Sequence, residues 1–482
     1  MRPAHRLTRR TTALVAGLLA ATLTATAASA ALAAEPVQPE PGAPWFGPEL
    51  DWEVDDGLAF ADRLGSRVSL LSRPLTYPLD SAAWVELRDL AGQSADLGAV
   101  SVVSLYPEVP LDRLTRADAQ VLARELAELS DRLGSRWLVR FAPEMNGTWY
   151  SWGQRPRAYK QAFRTVATEV HAAAGDQASM VWAPNYGAGY PFGGALGRVE
   201  QTPRSRVEQR ELDTNYNQRL DPRDDPYLAY YPGDRHVDWV GLSMYRFGVD
   251  AQLGTNTLPG PREVEQRLRD EYGYGDDLGR PSFYERFAEG RDQPMLISTS
   301  ALYNPGDSGP SPLEIKQSWW RQLVGAAAER PLVGAIAWLE LARVEPEVGE
   351  RVEWGATGRP AVAAAMRADL LDSAIDLGPV IEVDGRLDPE LTAPEPEDAE
   401  EPTTDGTGAG EEAPSDGSTS GVSADTDEAP PGTQQTTAEQ LGLGDDALAG
   451  AAVGAAAGAV AVMLAFFVAW RQRRRRMRPP WL

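Results

Sequence analysis

The feature that most constrains the fold is a regular alternation of short apolar runs with longer helical patterns across residues 44–373. About eight such runs, rich in β-branched and aromatic residues, alternate with helical stretches, as in chains built from repeated strand–helix units. This alternation predicts a parallel sheet, and about eight repeats favour closure into a (β/α)8 barrel over an open sheet. We therefore predict an α/β fold, a TIM barrel, for a domain of residues 35–386.

The predicted strands are short and largely apolar, which suits strands that are covered on both faces. They cover, in chain order, residues 45–47, 68–71, 100–105, 137–141, 180–183, 239–242, 295–297 and 333–338. The clearest helical patterns cover residues 115–133, 158–173, 312–328 and 359–371. Residues 186–236 are predicted to form a long loop insertion after the fifth strand.

The N-terminus has the pattern of an export signal. Four arginines in the first ten residues precede a short apolar core at 12–27, and alanine-rich cleavage patterns follow. The core is too short for a membrane span, and its exit is rich in small residues. Residues 1–34 are therefore predicted to be a cleaved signal peptide.

The C-terminal region combines an acidic linker with a predicted membrane anchor. Residues 387–446 are rich in Asp, Glu, Pro, Thr and Gly, a composition typical of disorder. Residues 447–470 form an apolar run long enough to cross a bilayer, and the arginine-rich tail 471–482 favours a cytoplasmic end. The sequence thus predicts a single-pass protein of the cell membrane, with its barrel outside the cell and its C-terminus in the cytoplasm.

Charge and composition exclude several classes of function. The chain carries a formal net charge of −24, which repels nucleic-acid phosphates, so no nucleic-acid partner is expected. It has no cysteine, and its three histidines are His5, His171 and His236. These residues do not combine into a metal cluster or a Ser-His-Asp set. We expect neither a metal nor a cofactor.

The densest group of polar and aromatic residues follows the predicted fourth strand, at 140–153. Active sites of such barrels lie at the carboxyl ends of the strands. Glu144 stands there beside Trp149 and Trp152, and apolar surroundings raise the pKa of a carboxyl toward that of a proton donor. The alternative interpretation is a rim carboxylate paired with Arg140, above tryptophans that fill an ordinary core.

Segment 140–153, with Glu-Met-Asn-Gly at 144–147 before aromatic residues and glycine, resembles glycoside hydrolase family 26, the β-mannanase-like retaining glycosidases. The similarity continues in the same order through residues 180–185, 231–233, 237–242, Tyr245, Trp338 and 354–371. The resemblance implies a (β/α)8 fold, Glu144 as general acid/base, and a second Glu as nucleophile at the end of the seventh strand. It also implies a β-linked, mannan-like polysaccharide as the substrate.

The sequence departs from the family pattern beside the reaction centre. Alignment on Pro294 puts Thr299 at the position of the nucleophile. A threonine hydroxyl without an adjacent base is a poor nucleophile near neutral pH, and it carries no charge to stabilise an oxocarbenium ion. Pro143 replaces the histidine that usually precedes the acid, and proline offers no side-chain hydrogen bond.

Other carboxylates are candidates for the missing partner of Glu144. Glu340 follows the eighth predicted strand, next to the seventh, and Glu49 and Asp51 follow the first. A rim salt bridge with Arg343 is the alternative role of Glu340. The distance between the carboxyls decides between retaining and inverting chemistry.

Two functions fit these residues. The first is hydrolysis of a β-linked polysaccharide with Glu144 as acid/base, and the second is binding of a cell-surface or wall glycan by a barrel that has lost hydrolysis. A scaffold for another surface protein is a third alternative. The residues predicted to bind the sugar are Arg140, Asn146, Trp149, Trp152, Asn185, Tyr245 and Trp338.

Overall fold

The computed structural model describes residues 38–192, 205–249, 252–270, 281–345 and 347–381. The predicted signal peptide, linker, membrane span and tail lie outside these residues. Within the part of the chain that is described, no helix is both long and apolar enough to cross a membrane.

Eight parallel strands close into one barrel, so the predicted (β/α)8 fold is confirmed. The strands of the structure are β1 (Trp45–Leu50), β2 (Leu70–Tyr77), β3 (Val100–Pro107), β4 (Trp137–Phe141), β5 (Ala178–Trp182), β6 (Trp239–Ser243), β7 (Gly248–Val249), β8 (Gln252–Leu253), β9 (Met295–Thr299), β10 (Val333–Glu340), β11 (Ala342–Glu345) and β12 (Glu350–Glu353). The barrel runs from β1 to β6 in chain order and closes through β9 and β10. The pairs β7–β8 and β11–β12 are antiparallel and lie outside the barrel sheet.

Helices connect most of the barrel strands. They are α1 (Gly57–Leu64), α2 (Ser81–Leu97), α3 (Arg116–Leu133), α4 (Pro156–Ala174), α5 (Arg206–Leu212), α6 (Glu263–Glu265), α7 (Pro312–Ala328) and α8 (Pro360–Leu371). Short 3₁₀ turns cover Leu111–Arg113, Gly175–Gln177, Leu228–Tyr230, Asp234–His236 and Glu289–Arg291, and π-helical segments cover Gln266–Asp270 and Tyr284–Ala288. The four predicted helices correspond to α3, α4, α7 and α8.

Local sequence explains where the helices begin and end. Thr115 and Ser311 each cap a helix through a reciprocal capping box, and Pro312 occupies the first turn of α7, where its missing amide hydrogen costs nothing. Gly98 and Gly134 end α2 and α3 with φ of 70° and 69°, a left-handed conformation that favours glycine.

Alternation along the strands divides the barrel wall into a lumen face and a helix face. The lower part of the lumen is filled by a buried apolar cluster, which we call the apolar plug: Trp45, Leu70, Val100, Val102, Leu138, Val181, Ala183, Trp239, Leu296, Ala335 and Ala337. Trp45 stacks on Trp239 within it, with ring centroids 5.8 Å apart. The barrel is therefore closed at this level by packed side chains.

Above the plug, toward the carboxyl ends of the strands, the lumen face becomes polar. We call this set the polar layer: Glu49, Ser72, Ser104, Arg140, Ser243 and Ser298, all of them buried. Leu70, Leu138 and Leu296 of the plug precede members of the layer by two residues, the period of a strand. Strand register places Ser104 beside Arg140 and Ser243 beside Ser298. This layer carries the site.

Several strand boundaries differ from the prediction. Strand β1 reaches Leu50, so Glu49 lies inside it rather than after it. The eighth strand of the barrel, β10, reaches Glu340. The second covers Leu70–Tyr77 instead of 68–71. Polar members of the lumen layer interrupt the apolar runs, and this interruption hides the true strand ends from a pattern based on hydrophobicity.

Candidate active site

Glu144 lies just beyond β4, in a backbone held in an unusual conformation. Ala142 and Glu144 both have positive φ, 44° and 56°, which costs on the order of 1–2 kcal/mol for each L-residue. The Glu144 amide donates to the Ala183 carbonyl at 2.8 Å, and its own carbonyl accepts from Gly147 at 2.9 Å. These bonds fix the chain in the conformation that turns the Glu144 side chain into the polar layer.

The Glu144 carboxyl is buried, with 2% of the residue exposed. Oε2 accepts a hydrogen bond from the Trp149 indole at 3.0 Å, and Oε1 lies 4.0 Å from Nη2 of Arg140. Burial raises the pKa of Glu144 to about 7, against the opposing effects of Arg140 and of hydrogen bonds from Ser243 and Trp149. A carboxyl with this pKa is protonated in part at neutral pH and can donate a proton.

Arg140 links two carboxylates. Its Nη1 lies 3.6 Å from Oε2 of Glu49, and its Nη2 lies 4.0 Å from Oε1 of Glu144. The same Nη2 donates to Oγ of Ser243 at 2.8 Å. Burial lowers the pKa of Arg140, and the charges around it, Glu49 first and Glu144 less strongly, raise it.

Glu49 is as buried as Glu144, with 1% of the residue exposed. Within the described residues, neither of its carboxyl oxygens has a hydrogen-bond partner. Burial raises the pKa of Glu49, and Arg140 and Arg343 oppose that rise. The carboxyl thus keeps its full hydrogen-bonding capacity for a molecule that enters the site.

Three tyrosines surround this group of charges. Burial raises the pKa values of Tyr106, Tyr150 and Tyr245, and the charges of Arg140 and Glu144 act on all three. Tyr106 and Tyr245 are 6% and 7% exposed. They are neutral hydroxyl donors at ordinary pH, suited to binding polar groups of a ligand.

The predicted aromatic residues of segment 140–153 divide into two roles. Trp149 is fully buried and holds the Glu144 carboxyl, with Phe192 against its ring at 5.1 Å. Trp152 stacks on Tyr150 at 4.1 Å, and its indole donates to the Pro143 carbonyl at 3.0 Å. Trp149 therefore acts on the carboxyl directly, whereas Trp152 supports the loop that carries it.

Asn146 and Asn185 join the loops that follow β4 and β5. The Asn146 side chain donates to the Asn185 carbonyl at 2.8 Å and accepts from the Asn185 amide at 2.9 Å. Its hydrogen-bonding groups are thus engaged by the protein. Asn146 lies two residues after Glu144, so these contacts position the loop that carries Glu144.

Thr299 and Trp338 lie on the helix face of the barrel. They pair in register, and each follows by one residue a side chain that faces the lumen, Ser298 on β9 and Ala337 on β10. The Thr299 hydroxyl donates to the Met244 carbonyl at 2.7 Å and accepts from the indole of Trp319 on α7 at 2.9 Å. Trp338 packs edge-on against Trp320 of the same helix. The structure does not bring these two predicted site residues into the lumen.

Glu340 also lies outside the group around Glu144. Its carboxyl oxygens accept from the Ala356 amide at 2.7 Å and from the amide and hydroxyl of Thr357 at 2.8 and 2.7 Å. Arg343, its predicted rim partner, pairs instead with Glu345 at 3.1 Å. The carboxyl of Glu340 thus anchors the loop before α8.

Sequence reasoning selected Glu144, Arg140, Trp149 and Tyr245, and the structure gathers them. It left Glu49 among several alternatives and missed Tyr106, Tyr150 and Ser243. Glu49, Tyr106 and Ser243 share one signal: each is a polar or aromatic residue near the carboxyl end of a strand, at an even spacing from a residue of the apolar plug. That signal is visible only once the strand phase is known.

No protein-family model and no curated protein matches the chain. Among solved structures, a family 26 β-mannanase from Bacteroides ovatus is similar, at 14% identity over 72% of this chain and 95% of that chain, with a TM-score of 0.45. A Bacillus subtilis mannanase gives 15% identity, 67% and 85% coverage and a TM-score of 0.37.

A modular endo-β-1,4-mannanase from Cellulomonas fimi gives 14% identity, 68% and 71% coverage and a TM-score of 0.41. Family 26, which segment 140–153 resembles, is thus found again among the similar solved structures. The closed barrel of eight parallel strands, rather than these similarities, defines the class of protein: a (β/α)8 barrel with paired carboxylates in its lumen.

Proposed function

We propose that the protein is a glycoside hydrolase that cleaves a β-linked, mannan-like polysaccharide with Glu144 as its general acid. The observation that carries this proposal is the buried Glu144 carboxyl, whose pKa is raised to about 7 at the carboxyl end of the barrel. A proton donor at the carboxyl end of the barrel, beside other buried polar side chains, suits cleavage of a glycosidic bond. The mannan-like substrate is supported by the resemblance of segment 140–153 to family 26.

Glu144 has the environment that an acid catalyst requires. In its protonated form it would donate to the glycosidic oxygen of the leaving sugar, and the Trp149 and Ser243 hydrogen bonds stabilise the carboxylate that results. Arg140 adds positive charge as that carboxylate forms. These groups stabilise the product of proton transfer without cancelling the effect of burial.

The proposal includes a place in the cell. The signal-like residues 1–34, the apolar run 447–470 and the basic tail 471–482 support an exported barrel that is tethered to the cell membrane. The acidic linker 387–446 would hold the barrel at a distance from the bilayer. A polysaccharide outside the cell would then be the ligand, with no nucleic acid involved.

The second candidate function is glycan binding without hydrolysis. The contacts of Thr299, the residue aligned with the family nucleophile, favour this function. Its hydroxyl lies on the helix face and is hydrogen-bonded to the Met244 carbonyl and the Trp319 indole, so it is not directed at a ligand in the lumen. Tyr106, Tyr245 and Arg140 would serve a bound sugar whether or not the bond is cleaved.

The test is turnover by the full-length protein on a panel of β-linked glycans, β-1,4-mannan among them, beside the Glu144→Gln variant. Release of reducing ends by the wild type, and its loss in the variant, supports hydrolysis. Binding without turnover in either protein supports the second function. Absence of both binding and turnover on every glycan contradicts both.

A further inference from the structure

A basic groove lies on the outer side of the barrel, between α3, α4 and α5. It has a volume of about 660 Å³, and its ionisable wall residues are four basic ones and two acidic ones. They are Arg116, Arg157, Lys160 and Arg164, with Glu169 and Glu211. The chain as a whole has a formal net charge of −24. We propose that this basic groove binds the acidic linker of the same chain, through the acidic run at residues 395–401.

The basic residues of α4 lie along one side of the helix. Arg157, Lys160 and Arg164 are three and four residues apart, the spacing that places side chains on one face. The buried residues of α4, Phe163 and Val166 among them, form the face toward the barrel. The basic side is therefore the solvent side of the helix, where a ligand can approach it.

Two of the four basic residues are already paired. Nε of Arg116 lies 2.5 Å from Oε1 of Glu169, and Nζ of Lys160 lies 2.7 Å from Oε2 of Glu211. These ion pairs balance both acidic residues in the wall of the groove.

The other two basic residues give the groove its net positive charge. Within the described residues, Arg157 and Arg164 form no ion pair. Nε of Arg164 donates to the carbonyl of Pro232 at 2.7 Å, which holds the side chain without neutralising its charge. Both arginines are exposed, and each guanidinium has five donors to offer to carboxylates.

The groove continues toward the loop that carries Glu144. A second cavity of about 590 Å³ shares Arg157 and Gln161 with the basic groove, and Ser151 and Arg113 also line it. Two cavities with common wall residues form one elongated depression. This shape suits an extended chain better than a compact ligand.

The linker is the part of the chain with the complementary charge. Residues 387–446 contain seventeen acidic residues and no basic one. The run 395–401 is the densest part, with five acidic residues in seven. Because the linker is covalently joined to the barrel, its effective concentration at the groove is in about the millimolar range, so weak surface ion pairs are enough for docking.

The end of the described barrel also lies within reach of the groove. The amides of Val380 and Ile381 donate to the carbonyl of Gly98, at the end of α2, at 2.8 and 3.1 Å. α3 packs on α2 and α4 packs on α3, so the groove is about 16–20 Å away across two helices. The thirteen residues 382–394 can span up to about 43 Å, which is enough to bring the run to α4.

Docking limits how the barrel moves on its linker. With the run held on α4, the free part of the linker is reduced to residues 402–446, before the membrane span predicted at 447–470. The contact depends on charge alone. The inference therefore goes beyond the proposed function and is independent of hydrolysis.

The experiment measures distances between two spin labels in the full-length protein. The chain has no cysteine, so two introduced cysteines are the only labelled sites. One label is placed in the run, at Ala399→Cys, and the other at Thr168→Cys, an exposed position of α4 in the wall of the groove. We expect double electron–electron resonance to give a short and narrow distance distribution for this pair.

The matched control moves the second label to Ala364→Cys, an exposed position of α8. α8 packs on α1 and α1 packs on α2, so position 364 is as many helices from the end of α2 as the groove is. Without docking, the two label pairs give similarly broad distributions. With docking, only the pair that includes position 168 gives a narrow one.

Removal of charge tests the contact itself. Arg157→Ser with Arg164→Ser should broaden the distribution between positions 168 and 399 to that of the control pair. About 1 M salt, where the Debye length is about 3 Å, should do the same. Arg219→Ser with Arg351→Ser removes equal charge at exposed positions outside the groove and should leave the narrow distribution unchanged.

The possible outcomes are distinct. Equal, broad distributions from positions 168 and 364 overturn the docking. A narrow distribution that survives loss of both groove arginines overturns the role of charge. If the short distance disappears when labelled protein is diluted with unlabelled full-length protein, the groove binds the linker of another copy, which also overturns the proposal. None of these measurements uses glycan turnover, so failure of the proposed hydrolase leaves them unaffected.

Discussion

The indole nitrogen of Trp149 donates a hydrogen bond to Oε2 of Glu144 at 3.0 Å, and both side chains are buried. A hydrogen bond to a carboxylate favours the ionised form, so this contact lowers the pKa of Glu144 against the larger effect of burial. The balance of the two leaves the pKa at about 7. Trp149 is therefore a positioning residue that adjusts the acid, in addition to filling space beside it.

Replacing Trp149 by phenylalanine should raise the pKa of Glu144 above about 7, because the donor is lost while the apolar surroundings remain. Carbon-13 NMR titration of labelled glutamate carboxyls, with Glu144 assigned from the Glu144→Gln spectrum, measures the change. Trp152→Phe is the matched control, since its indole donates to the Pro143 carbonyl instead. An unchanged pKa in Trp149→Phe would show that the indole does not govern the acid.

The raised pKa of Glu144 also predicts how stability depends on pH. The ordinary value is 4.5, so between about pH 4.5 and 7 the unfolded chain loses this proton while the folded chain keeps it. Stability from this group is then present below about pH 4.5 and is lost as the pH rises to 7, by up to about 3 kcal/mol.

Glu144→Gln removes that titration and keeps an acceptor for Trp149. We expect the free energy of unfolding of the variant minus that of the wild type to be larger at pH 8 than at pH 5, so that the variant gains stability relative to the wild type as the pH rises. Denaturant unfolding at the two pH values measures the difference. A variant with the same relative stability at both would contradict a raised pKa in the folded state.

The barrel could be predicted from the sequence because its evidence is repeated along the chain. Each buried barrel strand appears in the sequence as its own apolar run, so errors in the predicted bounds of one strand leave the number of strands unchanged. The short antiparallel pairs β7–β8 and β11–β12 leave no such repeat and were not predicted. Polar and apolar residues are mixed in these short strands, and Val249, Val344 and Arg351 are exposed.

The site could be predicted only in part, because side-chain direction depends on strand phase. Glu144 and Arg140 lie four residues apart in a dense cluster and could be found together. Thr299 was aligned by its distance from Pro294, but the strand places its side chain on the helix face. Glu49 could not be separated from Asp51 and Glu340 until the strand phase and the position of Arg140 were known.

The orientation of β9 predicts that substitutions at two neighbouring residues affect different properties, stability at Thr299 and activity at Ser298. Thr299→Val removes the acceptor of the Trp319 indole, which should lower the free energy of unfolding by about 1–3 kcal/mol with little change in kcat. Ser298→Val puts an apolar side chain into the polar layer and should lower kcat or glycan affinity. Kinetics and unfolding of both variants test the assignment, and a loss of activity in Thr299→Val alone would reverse it.

Lys316 supports the loops on which the site is built. Its buried Nζ lies within hydrogen-bond distance of the carbonyls of Ala301, Glu353 and Trp354, at 2.7–3.0 Å. Trp354 in turn packs against Tyr245, with ring centroids 5.9 Å apart. The lysine thus connects the segment after β9 with the segment after β12, beside one tyrosine of the site.

Lys316→Met should lower the free energy of unfolding by at least about 3 kcal/mol, because three buried carbonyls lose their donor. The matched control is Lys160→Met, since the other lysine of the chain pairs with Glu211 in a partly exposed salt bridge, a contact of about 0–1 kcal/mol.

Burial lowers the pKa of Lys316 from 10.5 to about 7, so the unfolded chain binds more protons between those values. Wild-type stability from this group therefore rises with pH across that window, and the deficit of Lys316→Met should widen from pH 7 to pH 9. Denaturant unfolding at both pH values measures the deficit, and equal losses in the two lysine variants would contradict the structural role of Lys316.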